Sequence, residues 1–363
     1  MDNTRKITVI QATAVLISTI IGVGILALPR FAVQTAETGA PLVTLLGILV
    51  ASAGLWLITV LGVRFPSKTI VQYSEEIIGK WLARFGSLLI IGFFAILTSL
   101  AAREFGEVVV TTVLRNTPLE VTVIVMLLLA AVSSRHGLET FVYIHYFYLP
   151  LILAPALMIV VLSLKNAELL NLLPVMGNEH KELLGGVLTI AALFQGSFII
   201  SIVIPHMRRP GQAYKASFMG MSVAGVLYFL IVVATVAVFG PEEIKRLLWP
   251  TLELAKTTSL PANILERLDA AFLAVWVTAV FTTLYSSYFL TIHCMSKLFR
   301  LRDHKLFSFF VMPFVFFYCD GAAKHSGTLP NHSDCRTDRS DCDHWLSVSA
   351  VGGFHHTKKK GYT

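Results

Sequence analysis

Long apolar runs separated by short polar loops set the pattern of this chain. Nine such runs occur, at about residues 7–30, 41–63, 81–114, 119–133, 141–164, 183–205, 216–239, 268–298 and 306–318. Several exceed the ~20 apolar residues that carry a helix across a bilayer, so the pattern predicts an all-α polytopic membrane protein. The first run is too long for a cleaved signal peptide and lacks the small-residue cleavage pattern after it. Basic residues occupy the short loops. With the N-terminus inside, fourteen of them fall in inside-facing loops and eight in outside-facing loops. Lys and Arg bias decides orientation, which predicts a cytoplasmic N-terminus.

Two runs are interrupted. The stretch from Ile20 to Arg30 reads IIGVGILALPR. Gly22 and Gly24 each weaken a lone helix by about 1 kcal/mol relative to Ala, and Pro29 removes a backbone donor. Backbone that faces lipid cannot be left unpaired, so a break here is buried in protein or lines a cavity. The plainer alternative is that the glycines only let a neighbouring helix pack closely. The sixth run carries its own break candidate at Gln195, Gly196 and Ser197 and a late Pro205. The first run travels outward and the sixth inward. Interrupted segments at corresponding positions of two oppositely oriented halves predict an inverted repeat with a midplane site.

Two halves of five require a tenth span. From Tyr318 onward stand three of the four cysteines, five of the eleven histidines and a scatter of Asp and Arg, with no apolar period. The segment NHSDC (331–335) can be encoded so that a one-base shift reads Ile-Ile-Gln-Ile, and RTDRSDCDHWLSVSAV regroups in the same way into an apolar segment. We therefore expect residues 1–317 to form the membrane domain, with nine spanning helices of which the first and sixth are broken. Residues 318–363 are expected to be a disordered, out-of-frame polar tail, the tenth helix having been lost to a frameshift. The nucleotide sequence tests this: no open apolar frame there would end the idea.

Composition narrows the chemistry. The chain is 55% hydrophobic and 14% charged, with a mean hydropathy of +0.72. Its net charge of +7 comes from loop residues and does not imply nucleic acid. No metal-type cysteine spacing, phosphate-binding glycine loop or nucleophile elbow is present, so neither an enzyme, a cofactor nor a metal site is predicted. The candidate site is the backbone of the two breaks: Gly22, Gly24 and Ile25 with Phe194, Gln195, Gly196 and Ser197. Half-helix N-termini would hold a carboxylate and unwound carbonyls an ammonium group or cation, which suits an amino acid. For Phe194, ordinary helix packing is an equal alternative.

The third run adds Arg103, Glu104 and Glu107. Arg103 and Glu107 are four apart and share a helix face; the cluster is either a structural ion pair or part of an outer vestibule or coupling device. Twenty residues from Arg84 rise about 30 Å, which puts Glu104 near the outer surface and Phe94 and Thr98 nearer the midplane, where they can line the site. The eighth run carries Thr278, Thr282, Thr283, Ser286 and Ser287. Most such hydroxyls bond their own helix or bridge helices, but Thr282 or Thr283 lies at the depth of the first break. His145, Pro150 and Pro155 in the fifth run read as an interfacial histidine on a kinked helix. Glu266, Arg267 and Asp269 read as a helix entry.

The opening with Gln11, the IIGVGILALP stretch, PTLELAKT (Pro250 to Thr257) and ILERLDAAFLAVWV (Ile264 to Val277) resemble the B-subunit permeases of bacterial spore germinant receptors. These belong to the amino acid–polyamine–organocation transporter superfamily. The resemblance covers residues 5–317. It implies a five-plus-five, leucine-transporter-like fold and a site for a nutrient such as an amino acid between helices 1 and 6. It also implies A and C subunits as partners and a place in the spore inner membrane. By the same resemblance Gly22, Gly24 and Phe194–Ser197 contact ligand and Glu104 serves signalling. An amino-acid/cation symporter is the alternative.

Overall fold

The computed structural model describes residues 6–174, 183–257, 268–301 and 303–325. Each apolar run is helical there. The first forms two helices, Val9–Ile20 (α1) and Gly24–Ala36 (α2), and the second forms Ala40–Arg64 (α3). A short amphipathic helix, Ile70–Ile78 (α4), precedes Lys80–Thr112 (α5), Leu119–Ser133 (α6) and Leu138–Ser163 (α7). The sixth run comprises Leu183–Ala192 (α8), a 3-10 turn at Gln195–Ile199 and Ile200–Val203 (α9). Ala213–Arg246 (α10), Pro250–Thr257 (α11), Leu268–Leu298 (α12) and Lys305–His325 (α13) complete the order.

Among the described residues five stretches are long and apolar enough to cross a bilayer: Gly24–Arg64, Lys80–Thr112, Leu138–Asn166, Pro210–Arg246 and Phe272–Leu298. Leu183–Ala192 with Gln195–His206, bent by 44°, makes a sixth as one broken span, and Val9–Ile20, Leu119–Ser133 and Lys305–Cys319 are shorter apolar helices. Within the 41 residues of the first stretch, α2 ends at Glu37, whose φ of 50° interrupts the helix, and a 3-10 turn at Glu37–Gly39 leads into α3.

Burial separates a core from a rim. Every residue of α1 from Ala12 to Ile20 is buried, and α1 packs on α7, α10 and α12 while α2 packs on α8, α10 and α11. The rim helices present large apolar side chains outward, among them Trp56, Leu57, Leu89, Phe147 and Val161. In water such a surface would drive association; in a bilayer it matches the solvent. α1 is anchored at its start by a capping box, in which Thr8 Oγ1 accepts from the Gln11 N–H and Gln11 Oε1 accepts from the Thr8 N–H at 2.9 Å. The Ile7 N–H donates to the His206 carbonyl (3.1 Å) and the Arg208 N–H to that of Ile7 (3.0 Å), tying the entry of the first run to the exit of the sixth.

At the other end of the chain, α13 runs past Phe317 to His325, so residues 318–325 continue the helix rather than open the tail. The reason is local packing. Cys319 is buried and its carbonyl accepts from Arg103 Nη1 at 3.1 Å, while the Val315 carbonyl accepts from Ser99 Oγ at 2.8 Å. The rest of the expected tail, residues 326–363, lies outside the described residues.

Candidate functional site

The first break opens where α1 ends at Ile20 and the backbone turns extended at Ile21 (φ −80°, ψ 99°) before α2 begins at Gly24. A broken helix leaves carbonyls without intrahelical partners. Here side chains take them. Thr282 Oγ1 donates to the Ser18 carbonyl and Thr283 Oγ1 to that of Thr19, both at 2.9 Å. The Tyr228 hydroxyl reaches the Ile20 carbonyl (2.7 Å), Trp276 Nε1 that of Gly22 (3.3 Å) and Thr251 Oγ1 that of Ile25 (2.8 Å). Each of these carbonyls thus carries a side-chain donor from α10, α11 or α12 and keeps a second lone pair.

The second break is a tight turn. The N–H groups of Leu193 and Phe194 bond back to the Ile190 and Ala191 carbonyls (both 3.1 Å), and the Ser197 N–H bonds to that of Phe194 (2.9 Å). The two breaks touch. A Cβ added at Gly196 would lie 2.9 Å from Thr19 Cγ2 and 3.0 Å from the Thr19 carbonyl oxygen, so only a glycine lets the second break come this near the first.

A cavity lies where they meet. Thr19, Ile20, Val23, Gly24 and Phe31 come from the first run, and Leu193, Gln195, Gly196 and Ile199 from the sixth. α5 contributes Phe94, Leu97, Leu100, Ala101 and Glu104, and α12 contributes Thr283, Ser286, Ser287 and Leu290. The structure therefore brings Gly24, Phe94, Gln195, Gly196, Thr283 and Glu104 into the lining of one cavity.

Other expected residues stand behind that lining. Gly22 packs against Thr283, and Ile25 is buried with its carbonyl on Thr251. Thr98 Oγ1 donates to Ser287 Oγ at 2.9 Å, and Phe194 packs against Tyr228 with ring centroids 5.1 Å apart. Ser197 is buried in the turn, and Thr282 is occupied by the Ser18 carbonyl.

The charged cluster of α5 divides. Arg103 Nε pairs with Glu107 at 3.0 Å, as the spacing predicted, and faces α13. Glu104 faces the cavity instead and makes no hydrogen bond or ion pair with a described residue. The expectation that it lies near the outer surface rests on counting residues from Arg84. α5 has 33 residues, about 50 Å of helix against a ~30 Å hydrocarbon core, so counting from its first basic residues does not fix depth. The interfacial reading of His145 is corrected, because its ring is wholly enclosed between α7 and α12. Glu266, Arg267 and the Asp269 side chain lie outside the described residues.

Leu97, Leu100 and Ala101 were not among the expected residues, nor were Thr19 and Ser286 as lining groups. The spacing 94, 97, 101, 104 follows one helix face and would have found two of them once Phe94 and Glu104 were placed together.

The comparisons with known proteins agree with this architecture. The family described as spore germination protein matches residues 6–324. Spore germination protein YndE of Bacillus subtilis (strain 168) is 28% identical over 301 residues, covering 82% of this chain and 83% of that protein. Among solved structures, the fold resembles that of a Na+-coupled sialic acid symporter in its substrate-bound outward-open state. That match has a TM-score of 0.63 at 13% identity and covers 95% of this chain and 76% of the other. MhsT in complex with L-phenylalanine follows with a TM-score of 0.60 at 13% identity, covering 94% of this chain and 85% of the other. The expected leucine-transporter-like, all-α fold is thus the fold of the protein, and the chain belongs to the spore germination permease family of multi-pass membrane proteins.

Proposed function

We propose that this protein is the nutrient-sensing subunit of a spore germinant receptor, binding an amino acid in the cavity between the two helix breaks. One observation carries the reading: a carboxylate with no partner among the described residues, Glu104, shares that cavity with the start of α2. An acid inside a membrane bundle calls for a cationic partner, and the ammonium group of an amino acid supplies one. The Leu26 N–H bonds to the Val23 carbonyl (3.3 Å), but the N–H groups of Gly24 and Ile25 precede the first intrahelical bond and carry the positive end of the helix dipole, which suits the ligand carboxylate. Phe94, Leu97, Leu100, Ala101, Leu193 and Leu290 leave apolar surface for an apolar side chain. Occupancy would favour one packing of the bundle by its differential affinity and pass that shift to A and C subunits in the spore inner membrane, with the N-terminus in the cytoplasm.

The test is binding of a panel of labelled L-amino acids to the purified protein in lipid nanodiscs. Saturable binding of one or a few is expected, abolished by Gly24→Trp and weakened at least tenfold (~1.4 kcal/mol) by Glu104→Gln. Binding of none by the folded protein, alone or assembled with A and C subunits, would overturn the reading. The fold likeness to a Na+-coupled symporter favours a second reading, an amino-acid/cation symporter. Net uptake into vesicles containing this protein alone would identify it.

A further inference from the structure

We propose that His145 fixes the hydrogen-bond polarity of the cavity wall, making its hydroxyl groups accept only, and that this polarity selects the amino end of the ligand. The inference rests on the amino-acid reading of the cavity.

The His145 ring is enclosed between α7 and α12, with Phe141 4.2 Å away centroid to centroid. Its Nδ1 stands 2.8 Å from the Phe141 carbonyl oxygen. A carbonyl can only accept, so Nδ1 carries a proton. Nε2 stands 2.8 Å from Ser286 Oγ and 3.2 Å from the Thr282 carbonyl. No carboxylate among the described residues pairs with the ring, and a second proton would leave an uncompensated charge in the bundle. Of the two carbonyls facing the ring, that of Phe141 is the nearer (2.8 against 3.2 Å). The single proton of the neutral ring therefore sits on Nδ1, and Nε2 accepts from the Ser286 hydroxyl.

The rest of the chain follows from that one direction. Ser286 Oγ lies 2.7 Å from Thr19 Oγ1. With the Ser286 proton on His145, the Thr19 proton goes to Ser286. Thr283 gives its proton to the Thr19 carbonyl (2.9 Å), and Ser287 gives its own to the Leu284 carbonyl (3.0 Å). Thr19, Thr283, Ser286 and Ser287 are the hydroxyl residues lining the cavity. All four protons point into the protein, so what enters meets oxygen lone pairs there and the Glu104 carboxylate. Donors come from elsewhere, the start of α2 and the Gln195 amide. A ligand group with several protons, an ammonium, is accommodated on the hydroxyl side; a hydroxyl in its place offers one. His145 is a positioning residue in this account, acting through Ser286 and Thr19.

Two measurements on the full chain in nanodiscs test the proposal. The first is 15N NMR of protein labelled at histidine, with His145 assigned by difference from His145→Phe. A protonated Nδ1 and bare Nε2 are expected. A protonated Nε2, as the neutral tautomer or the cation bonded to the Thr282 carbonyl, would reverse the chain and overturn the proposal. The second compares L-alanine, L-valine and L-leucine with their 2-hydroxy acids: L-lactate, L-2-hydroxyisovalerate and L-2-hydroxyisocaproate. Ser286→Ala and His145→Phe each free a hydroxyl proton to face the cavity, and should lower the preference for amino over hydroxy acid about tenfold (~1.4 kcal/mol). The ranking of the three side chains should persist, which also reports a folded site. Weaker binding at an unchanged amino-to-hydroxy ratio would mean a merely structural role and overturn the proposal alone. A wild-type protein with the expected tautomer that binds no amino acid would instead overturn the amino-acid reading, and the selection with it.

Discussion

Gly22→Ala tests the contact on which the first break depends. A Cβ at Gly22 falls 2.0 Å from Thr283 Oγ1, 2.6 Å from Thr283 Cβ and 3.1 Å from its Cγ2. Rotating Thr283 about its first side-chain torsion would move the oxygen but leave its Cβ where it is. The rotation would also break the 2.9 Å bond to the Thr19 carbonyl, and an unsatisfied buried acceptor costs about 1–3 kcal/mol. The remaining overlap must be relieved by separating α12 from the break, an overpacking cost of about 1–3 kcal/mol. Gly22→Ala should therefore destabilise the protein by about 2–6 kcal/mol.

A double-mutant cycle separates this clash from a general intolerance of the position. Thr283→Gly removes all three offending atoms, at a cost of its own of about 1 kcal/mol in helix propensity plus the lost hydrogen bond. The double variant should be more stable than the sum of the singles predicts by about 2–6 kcal/mol, because the clash is gone and the Thr19 hydrogen bond is lost once rather than twice. The assay is reversible unfolding in mixed detergent micelles. Gly54→Ala is the control, because it lies mid-helix in α3 and a Cβ there meets nothing within 4 Å, so it should stabilise by about 0.5–1 kcal/mol. If Gly22→Ala behaves like Gly54→Ala, or if the cycle is additive, the close approach of α12 to the break is not as described.

Three further outcomes follow from the same geometry. Arg103→Ala removes the partner of Glu107 and of the Cys319 carbonyl and should destabilise by about 3 kcal/mol, the lower end for a broken buried pair, since Glu107 keeps 32% of its side-chain surface exposed; the same unfolding assay reads it. Replacing Na+ by choline should leave ligand affinity unchanged in equilibrium binding, because the Glu104 carboxylate and the start of α2 supply both counter-charges of an amino acid; a sodium-dependent affinity would refute this. Glu104→Gln should keep wild-type thermal stability while weakening an amino acid more than its 2-hydroxy analogue, and equal weakening of both would count against an ammonium contact at that carboxylate.

The helices were legible because lipid leaves the backbone so few options that hydropathy alone nearly determines them. The breaks were legible because glycine pairs and a Gln-Gly-Ser in an apolar run have few other uses. Helix rotation was not legible. A helix that faces protein on one side and lipid on the other is apolar all round, so its sequence does not say which face is inner; Thr98 and Thr282 looked as suited to the cavity as Thr283. Depth was not legible for Glu104 because α5, at 33 residues, is longer than a bilayer core, and His145 was misread because its partners, Ser286 and the Phe141 and Thr282 carbonyls, assemble only when α7 meets α12. Two short helices, α4 and α11, lie between the apolar runs and carried no periodic signal long enough to claim them. Yet Thr251 of α11 holds the Ile25 carbonyl.

That last contact bears on what the breaks can do. With side chains of α10, α11 and α12 on the carbonyls of Ser18, Thr19, Ile20, Gly22 and Ile25, the first break cannot unwind further without opening several buried hydrogen bonds, each about 1–3 kcal/mol. We expect it to move as one body with those helices. The second break has fewer ties of this kind and rests on the first through Gly196. A ligand that touches both gains differential affinity only if the two bodies shift against each other. The surface along which they can slide is the Gly196–Thr19 contact, together with the approach of α8 to α3, where Ile190 fills the space a Cβ at Gly47 would need. Bulk added at Gly47 should then alter the response to ligand without touching the cavity, whereas bulk at Gly24 should abolish binding itself. A sensor needs those two effects to be separable, and their separation in binding and germination assays is the sharper test of how occupancy becomes a signal.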